Sequence, residues 1–494
     1  MVFDRTFHPD EANQAFTTGR LLETGRYTYQ PQDHHGPTLY YAAAALQRAA
    51  GHADTASLDG TLLRCTPLVF AALALVFGFF ALKRLTKSIF PGLVFALLLG
   101  TSPFFAFFAT DFIQETLLAC FLVMMFWAGT GYLCPGTKWK TGTWALFFGT
   151  ATALAFATKE TCLISFAAAA IAAVPFIVKR MSFDAVRART RDGILAILGF
   201  LIIAFILYSD FGNDSHGVYN AFIAAPLSYL GRAAGDATAS TGANWHVHPW
   251  WQYFRWLYDG NPSLLIVFPI SVSCGAFAAW RRASKTTSWA FRFTLCYALA
   301  TLAIYSLIPY KTPWCAVQIE MPLVLASVLG LACAADALPR FKWIPLAVLS
   351  AFLLAFNVPA LVRMNRDPDS TANPCNYAAA SPEVKELAQT VASAMFSATN
   401  HEPPFIAVAL PAADTWSFPW YNRPYENMTG YWDSFDDLKR LAETGIKPTV
   451  VIVPMEEGHL VQPYFPHLKH TKRFYMRPRI PERKVKGVRV RVFW

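Results

Sequence analysis

The chain has 494 residues, 54% of them hydrophobic and 15% aromatic, with a formal net charge of +10. That composition excludes a disordered chain and fits a polytopic membrane protein better than a soluble globular enzyme. The positive charge is gathered in loops between apolar runs and in residues 469–491, so it reads as membrane topology and lipid contact, not as nucleic-acid binding.

Residues 1–61 come first as a polar segment. His8-Pro9-Asp10-Glu11 has the form of a helix start, and Gly25 of a helix stop. A second apolar stretch, 39–50, is too short to span a bilayer and suits a helix lying at its surface. Ten apolar runs come next: 62–82, 89–108, 116–133, 142–158, 161–178, 193–209, 263–280, 291–308, 317–335 and 343–362. Each is near the length of a membrane-crossing helix. The loops after the first, third, fifth, seventh and ninth runs are rich in Lys and Arg, including Lys83, Arg84, Arg187, Arg189, Arg281 and Arg340. The other four hold only Lys159, Arg232, Arg255 and Lys311. Basic short loops stay cytoplasmic, so the second set faces outward. The long outward loop 210–262 carries Trp245, Trp250, Trp251 and Trp256, suited to the interfacial belt.

After residue 362, Asp367-Pro368-Asp369 and Asn373-Pro374 mark a linker. The rest of the chain reads as a small α/β domain, with helices over 382–395 and 435–443 and strands near 405–410 and 449–454. The expected architecture is therefore a polytopic α-helical membrane protein in three parts. These are an extracytoplasmic first loop (1–61), a transmembrane domain (62–362) and an extracytoplasmic soluble α/β domain (363–494). An outward polar start needs something to carry it across, which predicts one more apolar helix upstream of Met1. The nine cysteines occur singly and without CxxC spacing, as packing residues do.

Ionisable groups collect on the outward side. Asp10 and Glu11 open the first helix, and Asp111 and Glu115 share one helix face at i,i+4 spacing. Lys159-Glu160 and Lys311 fall at outward turns, and His34, His35 and Arg64 join them. Taken singly, each has a structural explanation: complementing a helix dipole, closing a span, or snorkelling. Together they suit a reaction between a hydroxyl acceptor and a phosphate leaving group. A carboxylate takes the acceptor proton, and Lys or Arg neutralises the departing phosphate. Four carboxylates could also hold Mg²⁺ or Mn²⁺, although no ligand spacing demands it.

His8-Pro9-Asp10-Glu11, Tyr27-Thr28-Tyr29, His35-Gly36-Pro37-Thr38-Leu39-Tyr40, Arg64, Asp111 with Glu115, Ala157-Thr158-Lys159-Glu160 and Tyr310-Lys311-Thr312-Pro313-Trp314 resemble the motifs of GT-C membrane glycosyltransferases. That superfamily includes protein O-mannosyltransferases and aminoarabinose transferases. With Trp416-Ser417-Phe418-Pro419-Trp420-Tyr421-Asn422-Arg423, the resemblance is closest to the Agl23-type, flippase-activity-associated subgroup. It implies a GT-C fold of ten or more transmembrane helices in the cell (inner) membrane. It also implies transfer of a sugar from a polyprenyl-phosphate donor to a glycan, lipid or protein acceptor on the extracytoplasmic face, with no cofactor firmly required.

In that scheme Asp10 is the catalytic base beside Glu11, Asp111 and Glu115 line the same cavity, and His35, Arg64, Lys159 and Lys311 contact substrate. The chain departs from its relatives in lacking a span before the acidic loop. It also has His35-Gly36-Pro37 where the mannosyltransferases have Lys-Pro-Pro, which puts a phosphate role at that position in doubt. Residues 416–423 also suit simple packing of the outer domain onto the membrane part. A lipid-linked sugar flippase or its accessory protein is the alternative, disfavoured because no internal repeat is visible and the charges sit at one face. A receptor or assembly factor binding a surface polymer is a third reading.

Overall fold

The computed structural model describes residues 4–134, 139–178, 183–233, 246–281, 285–336, 343–368, 370, 372–377, 379–398, 404–477 and 487–494. Trp245, Arg340 and Asp369 lie outside the described residues. The helices run α1 (Pro9–Thr24), α2 (Thr38–Ala49), α3 (Gly60–Thr86), α4 (Phe90–Gly100), α5 (Pro103–Phe108), α6 (Glu115–Leu133), α7 (Thr141–Phe156), α8 (Cys162–Val178) and α9 (Phe183–Tyr208). They continue with α10 (Ser215–Tyr219), α11 (Ala225–Ala233), α12 (Gln252–Gly260), α13 (Pro262–Arg281), α14 (Lys285–Leu307), α15 (Ala316–Asp336), α16 (Ile344–Arg366) and α17 (Glu383–Ser397).

Six helices among the described residues are long and apolar enough to cross a membrane: α3, α6, α13, α14, α15 and the 189–208 part of α9. The sequence led us to expect ten, and two runs show why the count falls. Run 89–108 is broken into α4 and α5, because Ser102 before Pro103 is extended (ψ 124°) and ends the first helix. Run 142–158 forms the 16-residue α7, about 24 Å long and short of a ~30 Å hydrocarbon core. The bundle is built around α15, whose apolar window is 94% buried, against 11% for α9 at the rim. Within α15, Glu320 is fully buried. It accepts from the Asn261 side chain (2.8 Å) and the Phe105 amide (3.1 Å), fastening α15 to the start of α5 and the α12–α13 junction. A carboxylate at such depth is costly unless its acceptors are filled.

Beyond the bundle lies a five-stranded sheet: β1 (Ile406–Ala409), β2 (Thr429–Trp432), β3 (Val450–Pro454), β4 (Thr471–Arg477) and β5 (Val488–Phe493), in the order β2-β1-β3-β5-β4. The first three strands are parallel, and β5 pairs antiparallel with β3 and β4. The α17 helix and the 435–443 helix appear where periodicity put them. Among the described residues of the basic C-terminal stretch, read from sequence as topology, Lys472, Arg473, Arg477, Arg489 and Arg491 lie in strands: in β5, Val488, Val490 and Val492 are buried while Arg489 is exposed and Arg491 half-buried. The 416–423 motif docks this sheet region onto the first loop. Trp420 stacks on Phe7 (4.4 Å, 17°), Tyr421 Oη accepts from the Phe7 amide (2.8 Å), and Arg423 donates to the Leu58 carbonyl (3.0 Å). Of the expected belt, Trp250 and Trp251 are exposed, whereas Trp256 is buried beside His248.

Candidate active site

Two buried acid–cation pairs hold the first loop against the bundle, and a third lies within the bundle. His8 caps α1 through its Nδ1, which accepts from the Asp10 amide (3.1 Å), while Glu11 Oε2 accepts from the His8 amide (3.0 Å). This closes a capping box with Pro9 in the first turn. The same Glu11 carboxylate receives Arg64 Nε (2.8 Å), Arg64 Nη2 (2.7 Å) and the Phe112 amide (2.8 Å). Burial would raise the Glu11 pKa, yet Arg64 and these amides hold it below the usual carboxylate range. Arg64 is itself fully buried and also donates to the Arg5 carbonyl (3.0 Å). Both side chains are thus committed to one another in this structure.

Asp111 pairs with Arg5 at 2.5 Å. Burial pushes its carboxyl up to about 6, against the pull of Arg5 and with the nearby Glu11 charge adding to the rise. Arg5 donates to the Thr110 hydroxyl (2.6 Å) and carbonyl (3.1 Å) and lies over the Phe107 ring, but its Nε and Nη1 are buried without a partner among the described residues. Sequence reasoning missed Arg5; its place five residues before Asp10 in the polar segment was the only signal. Asp10, one residue from Glu11, is by contrast half-exposed, 3.9 Å from the His8 imidazole.

The third pair joins Lys159 to Glu115, whose other oxygen is buried without a partner among the described residues. Burial works against the Lys159 ammonium, but Glu115 more than offsets it and raises its pKa. Next to it Glu160, grouped with Lys159 in the sequence but assigned no role there, accepts from Tyr29 Oη (2.5 Å) and faces His35 Nδ1 (2.7 Å). Burial would raise Glu160, and His35 and Tyr29 keep it low. The loop reaches this turn only because residue 36 is glycine: a Cβ there would stand 2.3 Å from the Ala157 carbonyl oxygen. Gly36→Ala is expected to cost about 1–3 kcal/mol, read as a fall in melting temperature of the purified protein. An unchanged transition would show that the contact yields freely.

Lys311 is buried and bonds to backbone carbonyls, not to a carboxylate. Its Nζ donates to the carbonyls of Ile308 and His248 (3.5 Å to the latter), and burial pushes it down to about 8. Around it the backbone pairs Val247 with Tyr310, and Tyr377 Oη lies 3.1 Å from His246 Nδ1 and 3.3 Å from His248 Nε2. His8 Nε2 meets the Tyr377 carbonyl at 2.8 Å, tying this knot to the head of α1.

Of the eight residues expected to act, Glu11 pairs with Arg64 and Glu115 with Lys159, Asp111 and His35 pair with Arg5 and Glu160, and Asp10 and Lys311 stand outside these pairs. Two cavities, of ≈840 and ≈980 Å³, are lined by none of them. Among the described residues no three His, Cys, Asp or Glu side chains are grouped as metal ligands. A divalent ion shared by the carboxylates would have to displace Arg64, Arg5 and Lys159, so the residues do not fit such an ion. The arrangement offers instead a half-exposed carboxylate, Asp10, and, elsewhere at the first loop, a buried guanidinium with two spare donors, Arg5.

The chain matches no protein-family model and no curated protein. Among solved structures, it superposes over 99% of its length on 94% of ArnT from Cupriavidus metallidurans, solved bound to undecaprenyl phosphate, with a TM-score of 0.64 and 13% identity. An oligosaccharyltransferase from Archaeoglobus fulgidus, solved with zinc and sulfate, matches 92% of this chain and 65% of its own at a TM-score of 0.49 and 11% identity. The chain therefore has a fold like that of ArnT over nearly its whole length, a helical bundle followed by a small sheet.

Proposed function

We propose that this protein is a membrane glycosyltransferase that moves a sugar from a polyprenyl-phosphate donor to an acceptor hydroxyl on the extracytoplasmic face. The observation that carries the reading is the half-exposed Asp10 carboxylate at the head of α1, next to a layer of buried acid–cation pairs. The undecaprenyl phosphate held by ArnT supports a lipid phosphate as the donor's carrier. Asp10 takes the acceptor proton as the acceptor oxygen bonds to the anomeric carbon and the bond from that carbon to the phosphate oxygen breaks. The anomeric centre is inverted and polyprenyl phosphate is released. The spare Nε and Nη1 of Arg5 receive the departing phosphate, and Lys159 supplies a second cation when Glu115 yields it. His35 orients Glu160, while Glu11, Arg64 and Lys311 hold the loops. Assignment to the flippase-activity-associated subgroup, an inner-membrane location and an extracytoplasmic C-terminal domain belong to this proposal.

The test is purified protein in liposomes with a labelled polyprenyl-phosphate sugar. Label should pass to an acceptor; scrambling across the bilayer without transfer would favour the flippase instead. The acid limb of the rate carries a second prediction. Below pH about 6 Asp111 is protonated and Arg5 loses its counter-charge, so transfer should rise with pH through that value. Asp111→Asn should flatten the limb, and a limb that persists in this variant would assign it elsewhere.

A further inference from the structure

The ≈840 Å³ cleft lies between α1 and the carboxyl edge of the sheet. Leu410 and Ala412, just past β1, line one side together with Tyr431, Trp432 and Asp433 at the end of β2. Crevices outside the carboxyl ends of parallel strands are where such sheets bind ligands. The opposite wall is a stripe of α1, Asn13, Phe16, Arg20 and Glu23, whose spacings of three and four put them on one face. One turn back along that stripe, ~5 Å, stands Asp10. The cleft therefore leads to the candidate base.

Its chemistry is mixed in a particular way. Four aromatic rings, Phe16, Trp416, Tyr431 and Trp432, line it. Five carboxylates, of Glu23, Asp33, Asp54, Glu426 and Asp433, outnumber two guanidinium groups. One of these, Arg20, is 3.9 Å from Asp33, and the other, Arg423, donates to the Trp420 and Leu58 carbonyls and stacks on Trp420. An anionic ligand is repelled. Several of the carboxylates already accept from neutral donors, Glu23 from the Thr55 amide (2.8 Å), Asp54 from the Ser57 amide (2.8 Å) and Glu426 from Tyr431 Oη (3.3 Å). Flat rings for C–H faces and acceptors for O–H edges are what an uncharged saccharide asks for. The volume is within the usual range for a ligand site.

We propose that this cleft is the acceptor subsite and that the acceptor is an uncharged oligosaccharide, laid along α1 with its terminal hydroxyl toward Asp10. The inference rests on the sugar-transfer reading and names its acceptor class. The test uses the full-length protein in nanodiscs, titrated calorimetrically with mannohexaose, maltohexaose and cellohexaose, with hexalysine as the cationic probe. At least one neutral hexasaccharide should bind, and Trp432→Ala and the exposed Asp433→Asn should each weaken it about tenfold or more. Asp10→Asn should bind normally. In transfer assays the cleft variants should raise KM for the oligosaccharide and leave kcat.

Binding of none of the three, preference for hexalysine, or indifference of both variants would overturn the proposal. The two readings fail separately. Transfer that ignores the cleft variants removes the subsite alone. Saccharide binding without transfer from any donor leaves the cleft and removes the transferase.

Discussion

Glu11→Ala is expected to lower the stability of the whole outer end of the protein, not merely its rate. The Glu11 carboxylate accepts four hydrogen bonds, two of them from Arg64, and both side chains are buried. Removing it leaves a buried guanidinium without its counter-charge and leaves the amides of His8 and Phe112 short of an acceptor. Breaking one side of such a pair costs about 3–5 kcal/mol. The fall should be visible in thermal unfolding of the detergent-solubilised protein. Replacing both partners, as in Glu11→Leu with Arg64→Met, should recover much of the loss, because no charge is then stranded. If Glu11→Ala instead melts like the wild type but loses transfer, Glu11 belongs to the chemistry and does not act as a clamp.

Asp10→Asn is expected to do the opposite: to keep the fold and abolish turnover. The Asp10 side chain is half-exposed and 3.9 Å from His8, so the isosteric amide removes no buried pair. It removes the proton acceptor. General-base catalysis of this kind is worth about 10²–10⁴ in rate, and kcat should fall by that factor while donor binding and melting temperature stay put. Normal transfer by this variant would move the base to Asp111, whose carboxyl has the raised proton affinity that role needs. The contrast between adjacent residues is the sharpest feature of the site: one carboxylate is saturated by donors, the next is left open.

Much of the architecture was legible in the chain alone. Apolar runs at bilayer length, separated by loops of alternating basic content, announced a helical membrane protein, because hydrocarbon forces the backbone to satisfy its own hydrogen bonds. The short continuous apolar runs of the sheet region and the helix start at His8-Pro9 were equally local signals, and both strands expected there, β1 and β3, formed. β2, β4 and β5 were not legible: β2 is only partly buried and carries a glycine, in β4 exposed Thr, Lys and Arg open the strand, and β5 lies in the basic C-terminal stretch. The motif residues were visible as charges sharing a side.

Which partner each charge meets was decided by packing. Glu11 meets Arg64 across 53 positions, and Lys159 meets Glu115 across 44, and whether a carboxylate is spent or free depends on which distant donors the fold brings to it. The same holds for the cleft, whose two walls come from α1 and from strand ends some four hundred residues later. Hydropathy is a property of each segment, whereas ionic partnership and shape belong to pairs, and no periodicity along the chain encodes them.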